Sequence, residues 1–192
     1  ELVHTLNSYS LRAGGELTLD AVAEGTVDDP RANADLKLVN TVFERQRMPE
    51  ISVRGDVDRR GVYGLDLEAA LDDLLVTASG DIYFDEQLQL LVQGSGIAVE
   101  QFRKWIPVKG SLSGQLGFTV VASGPTDSPN LMGSVDILNP EIAGVRLDLI
   151  SAPLIAVKEG GVDVDTLIVR HKRMDDEQWV TEAVEIDGNL PF

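Results

Sequence analysis

Few residues in this chain have types and spacing that could do chemistry. The two histidines, His4 and His171, lie far apart, and neither has a neighbour at metal-ligand spacing. There is no cysteine, which removes thiolate nucleophiles, thiolate metal sites and disulfides together. No Gly-x-Ser-x-Gly elbow occurs, so the standard hydrolase serine is missing as well. Gly94-Ser95-Gly96 has the opening of a dinucleotide-binding loop, but Val99 stands where the third glycine belongs and no βαβ unit surrounds it. It reads as a strand-to-helix turn. The stretch 160–167 approaches a calcium-binding nonapeptide, yet Asp163 replaces a required glycine, and one copy cannot gather six or more oxygens. Asp28-Asp29, Asp72-Asp73 and Asp175-Asp176 belong in or beside turns, where solvated charge keeps a sheet soluble. Arg170-His171-Lys172-Arg173 is the one dense basic patch; it fits a charged hairpin tip, though its cations suit a lipid phosphate. We expect no catalytic residue, no metal site and no enzyme.

Composition narrows the remaining classes. A chain of 192 residues that is 43% apolar can bury a sizeable core, as one domain or two fused repeats. Valine, leucine, isoleucine and glycine carry that hydrophobicity while aromatics stay at 5%, which suits a sheet. A net charge of −16 opposes nucleic acid and disfavours laying a broad face on anionic lipid. No apolar run approaches the roughly 18 residues of a membrane helix, and no signal peptide is present. The abrupt ends at Glu1 and Phe192 suggest a piece of a longer protein, with any membrane anchor outside it.

The elements that must position everything else are organised around residues 110–139. Leu116, Phe118 and Val120 alternate with Gln115, Gly117 and Thr119, the period of a strand with one apolar face. A Gly/Pro-rich break over 123–129 leads to a second alternating run, Val135-Asp136-Ile137-Leu138. This unit occurs twice. At a shift of 99, Gly15, Leu17, Val22, Ala23, Gly25, Asp28, Pro30 and Asn40 fall on Gly114, Leu116, Val121, Ala122, Gly124, Asp127, Pro129 and Asn139. Leu19 meets Phe118, Leu36 meets Val135, and Leu38 meets Ile137, so the apolar register repeats too. We therefore divide the chain into a first β repeat, 1–96, and a second, 97–192, forming one continuous sheet domain.

Alternating runs at intervals of about ten residues predict roughly a dozen strands with hairpin connections. Among them are 144–150, with Val145, Leu147 and Leu149 facing one way, and 162–169, followed by a charged turn over 170–177. A helix is expected over 97–106, where Val99, Phe102 and Ile106 share a face and Pro107 stops the helix. Leu2, Val3 and Leu6 have helical spacing before the first repeat.

The run Val121-Ala122-Ser123-Gly124-Pro125, then Pro129-Asn130-Leu131-Met132-Gly133, then Val135 to Asn139, resembles the repeat of TamB/AsmA-like envelope proteins. The preceding Trp105-Ile106-Pro107 and the closing Gly188-Asn189-Leu190-Pro191-Phe192 fit the same resemblance. It implies an all-β fold of repeated antiparallel strands curled into an elongated, U-shaped, apolar-lined sheet with one or two short helices. It also implies a periplasmic segment, tethered to the inner membrane elsewhere, that carries phospholipid acyl chains between membranes. The lining residues would be Leu17, Leu19, Leu36, Leu38, Leu65, Leu67, Leu88, Leu90, Leu116, Phe118, Val120, Val135, Ile137, Val145, Leu147 and Leu149. Val99, Phe102 and Ile106 would cover a sheet edge or act as a small gate. Phospholipid would be the only bound molecule. The alternative is a closed structural module that aids outer-membrane protein assembly by pairing a strand edge with a partner protein. Alternation alone cannot separate the two, because a groove wall and a sealed core share one period.

Overall fold

The structure is a computed structural model that describes residues 13–43, 46–103, 109–158, 161–175 and 178–191. It is all-β and antiparallel, with strand over 81% of the chain. The chain divides into two units, Glu1–Leu90 and Leu91–Phe192. The expected helix around Leu2, Val3 and Leu6 falls outside the described residues.

The first unit contains β1 (Ala13–Gly25), β2 (Pro30–Phe43), the two-residue β3 (Gln46–Arg47), β4 (Glu50–Asp58), β5 (Gly61–Leu71), β6 (Leu74–Tyr83) and the start of β7 (Gln87–Ala98). Pairing follows chain order, β1-β2-β4-β5-β6, with β3 folded back on β2. Short turns allow this. Thr26 and Asp29 exchange backbone hydrogen bonds across the β1–β2 turn, and the Thr26 hydroxyl accepts a further one from the Asp29 N–H. Asp72 adopts φ 52° in the two-residue Asp72-Asp73 turn, a left-handed conformation that aspartate tolerates. Both acidic pairs thus sit in turns, as expected.

The second unit holds the end of β7, then β8 (Leu112–Pro125), β9 (Asn130–Ile142), the two-residue β10 (Val145–Arg146), β11 (Leu149–Lys158), β12 (Gly161–Asp175) and β13 (Gln178–Pro191). Its order is β8-β9-β11-β12-β13, with β10 on β9.

The repeat is visible in the backbone. A bulge between Gly14 and Glu16 in β1 has its counterpart between Ser113 and Gln115 in β8, again 99 residues on. Opposite each bulge an asparagine is left-handed, Asn40 at φ 53° and Asn139 at φ 48°. Asparagine accepts that region more readily than most side chains, which is why both copies keep it there.

Three sequence expectations are corrected. Strand β7 runs through Ala98, and a 3-10 turn over Val99–Phe102 replaces the start of the helix. Ala98 has no side chain to cap a helix, and β-branched Ile97 and Val99 favour the strand. The 144–150 strand is not formed either. Ala143 and Gly144 are both left-handed and close a tight turn, so Val145-Arg146 pairs back onto Ile142 and Glu141. Finally, 170–175 is strand, not turn: Arg170, His171, Lys172 and Arg173 pair with Ala183, Glu182, Thr181 and Val180. The basic run therefore lies within strand β12, not at a hairpin tip.

Candidate functional site: one apolar row in each unit

Register decides which side chains share a face. In the first unit Leu17 faces Leu38, Leu19 faces Leu36, Ala21 faces Ala34 and Ala23 faces Ala32. The row continues across β4 through Ile51, Val53 and Val57, across β5 through Ala69, Leu67 and Leu65, and across β6 through Val76 and Ala78. No charged or hydrogen-bonding side chain interrupts it. The other face carries the charge. Asn33 donates to Asp56 at 2.9 Å, and the Arg54 guanidinium donates twice to one Asp35 oxygen, at 3.0 and 3.1 Å. Arg54 is well exposed, so Arg54→Ala should lower stability by no more than about 1 kcal/mol in urea unfolding.

The second unit repeats the arrangement. Leu116 faces Ile137, Phe118 faces Val135, Val120 faces Gly133 and Ala122 faces Leu131. Ile150, Ala152, Ile155 and Val157 carry the row across β11, and Val169, Val164 and Val162 across β12. Here the row dips. An open apolar hollow of about 220 Å³ is lined by Gly133 together with Val120, Leu131, Val135, Ile155 and Val157. The opposite face is less polar than in the first unit, with Val121, Met132 and Leu138 exposed beside Thr119 and Asp136. Ser151 donates to the Asp136 carboxylate across the β9–β11 pair on that side.

Register brings eleven of the expected lining residues onto the two apolar rows. Leu17, Leu19, Leu36, Leu38, Leu65 and Leu67 share the row of the first unit, and Leu116, Phe118, Val120, Val135 and Ile137 that of the second. Leu88 and Leu90 alternate as half-buried residues with exposed Gln87 and Gln89 along β7. Three do not join the row. Val145 belongs to the fold-back bridge, Leu147 lies outside any strand, and Leu149 pairs with Leu138 and Arg170 on the opposite face. Ile150 takes the position expected of Leu149, because β11 begins one residue out of phase with the alternation read from 145. Ala152, Ile155, Val157 and Val162 are members that sequence reading missed; the apolar run 152–157 was the available signal, blurred by the bulge between Ala152 and Ile155.

Burial is what sets these rows apart from an ordinary core. Among the described residues the first unit buries no apolar side chain, and the second buries only Ile97, Val99, Leu112 and Ala152, with Pro140 fully enclosed. The row residues are half-buried by their strand neighbours, and on edge strand β1 Leu17 and Leu19 remain 64% and 61% exposed. A sandwich would bury such residues against a second sheet. Of the gate residues, Val99 is buried and Phe102 half-buried in the 3-10 turn, which packs on β8, while Ile106 lies outside the described residues.

Among the described residues, the perturbed titrating groups lie away from the rows. The Arg60 backbone N–H, and then its guanidinium, hold the Asp58 carboxyl below its ordinary range at the β4–β5 turn. Its folded-state pKa is depressed, so its contribution is present at neutral pH and lost as pH falls through the folded value. A carboxyl-resolved NMR titration should place the Asp58 midpoint below about 3.9, and a midpoint above that would refute the pairing. Among the described residues no cluster of three or more potential ligands could hold a metal, and no helix is long and apolar enough to cross a membrane.

Compared with protein-family models, curated proteins and solved structures, the chain matches none.

Proposed function

We propose that the apolar rows bind phospholipid acyl chains and that the chain is a non-enzymatic segment of a TamB/AsmA-like lipid conduit in the cell envelope. The observation that carries this is a continuous apolar row in each unit that no second layer of described residues buries. An acyl chain laid on such a row leaves water at about 0.8 kcal/mol per buried CH₂, while a headgroup stays wet at the rim. The row is apolar along its length, with no charged side chain to pin a headgroup in one place, so lipid can slide along it. The location would be the periplasm, with tethering to the inner membrane through another part of the protein.

Native mass spectrometry of the purified chain, with organic extraction of what is bound, tests the reading. Co-purifying phospholipid supports it; a bare protein mass that takes up no added lipid would overturn it. The second reading, a β module that helps assemble outer-membrane proteins, draws on the outer edge of β1, which no described strand pairs. It would be favoured by that bare mass together with capture of an unfolded barrel strand.

A further inference from the structure

The two copies of the repeat differ in one place that concerns binding. In the second copy, the outer edge of β8 is covered by β7. Gln93 donates to the Thr119 hydroxyl at 3.5 Å, and the Phe118 ring fills the space that a side chain on Gly94 would occupy. The two contacts run in opposite chain directions, as an antiparallel pair requires. Under this cover Leu116 and Phe118 are half-buried. Their counterparts in the first copy, Leu17 and Leu19, stand on β1, which has no described strand on its outer side and leaves them mostly exposed.

We propose that the outer edge of β1 is a docking site for one kind of partner: an antiparallel protein strand that presents Gln-Gly as β7 does. A glycine opposite Leu19 lets the leucine lie across the incoming backbone, as Phe118 lies across Gly94. The residue before it meets Asp20, the counterpart of Thr119. A glutamine amide there donates to the Asp20 carboxylate, a stronger acceptor than a hydroxyl. Glu16 and Glu24 flank Asp20 on the same face, so this edge repels an acidic strand and accepts the neutral glutamines 87, 89 and 93 of the β7 pattern. The inference needs no lipid and stands apart from the conduit reading.

The probe is a fluorescein-labelled peptide with the sequence of residues 87–98, added to the 192-residue chain and followed by anisotropy and hydrogen exchange. Saturable binding with new exchange protection over 13–25 is expected. Peptides carrying Gly94→Leu or Gln93→Glu should bind at least tenfold more weakly, as should the peptide to a Leu19→Lys protein whose circular dichroism is unchanged. The peptide variants keep the test valid if Leu19→Lys fails to fold. Absence of binding at millimolar peptide, protection located elsewhere, or equal affinity of the variant peptides would each overturn the proposal. So would β1 already protected in a dimer of the chain.

Discussion

On the proposed lipid-binding reading, Leu36→Asp and Leu116→Asp should each remove at least nine-tenths of any phospholipid extracted with the purified chain, whereas Gln115→Asp should remove little. Leu36 sits between Leu19 and Val53, and Leu116 opposite Ile137, so either carboxylate lands inside an apolar row. A carboxylate against an acyl chain must shed its hydration without a partner, at a cost of several kcal/mol that no nearby donor offsets. Gln115 is adjacent to Leu116 but exposed on the other face, so it controls for charge alone. Leu36 is only half-buried, and no described residue of its unit is a buried apolar side chain, which makes the variant's fold easy to retain. Lipid counts from extraction, normalised to folded protein, give the answer. Equal loss in all three variants would mean that net charge, not the row, governs binding. No loss in Leu36→Asp or Leu116→Asp would remove the row from any lipid role.

Gly133→Val should lower stability by about 3 kcal/mol, from overpacking alone. A Cβ at this position would press on the Thr119 carbonyl oxygen and stand 3.0 Å from the Val120 Cα, so strand β8 must shift. Main chain yields less easily than the tip of a flexible side chain. For a chain of this size the melting temperature would fall by roughly 6–12 °C. Gly14→Ala is the control: nothing lies within 4 Å of its added Cβ, and the change should stay within about 0.5 kcal/mol. A melting temperature for Gly133→Val within 2 °C of the parent would show that β8 and β9 have slack at this pair.

The all-β character, the repeat and most of the row were legible because each depends on local chemistry. Period-two alternation places Leu17, Leu19, Leu36 and Leu38 on one side whatever lies beyond them. Asn40 and Asn139, with Gly15 and Gly114 opposite, are written twice because a bulge with left-handed residues restricts the side chains allowed there. Where pairing partners set the outcome, sequence reading failed. The turn at Ala143-Gly144 shifted the phase of β11, so Ile150 replaced Leu149 in the row. The partner strand 178–183 drew 170–175 into β12, although its charge and turn-like composition predicted a loop. The end of β7, held against β8, kept Ile97 and Ala98 extended where spacing alone favoured a helix.

The sequence by itself thus determined that each repeat has one apolar and one mainly polar face, because alternation is a property of the strand's own geometry. Only the tertiary structure decided that, among the described residues, no second layer buries the apolar face. Covering a face requires long-range partners, and a one-residue change of phase at a turn or bulge is enough to turn a side chain from one face to the other.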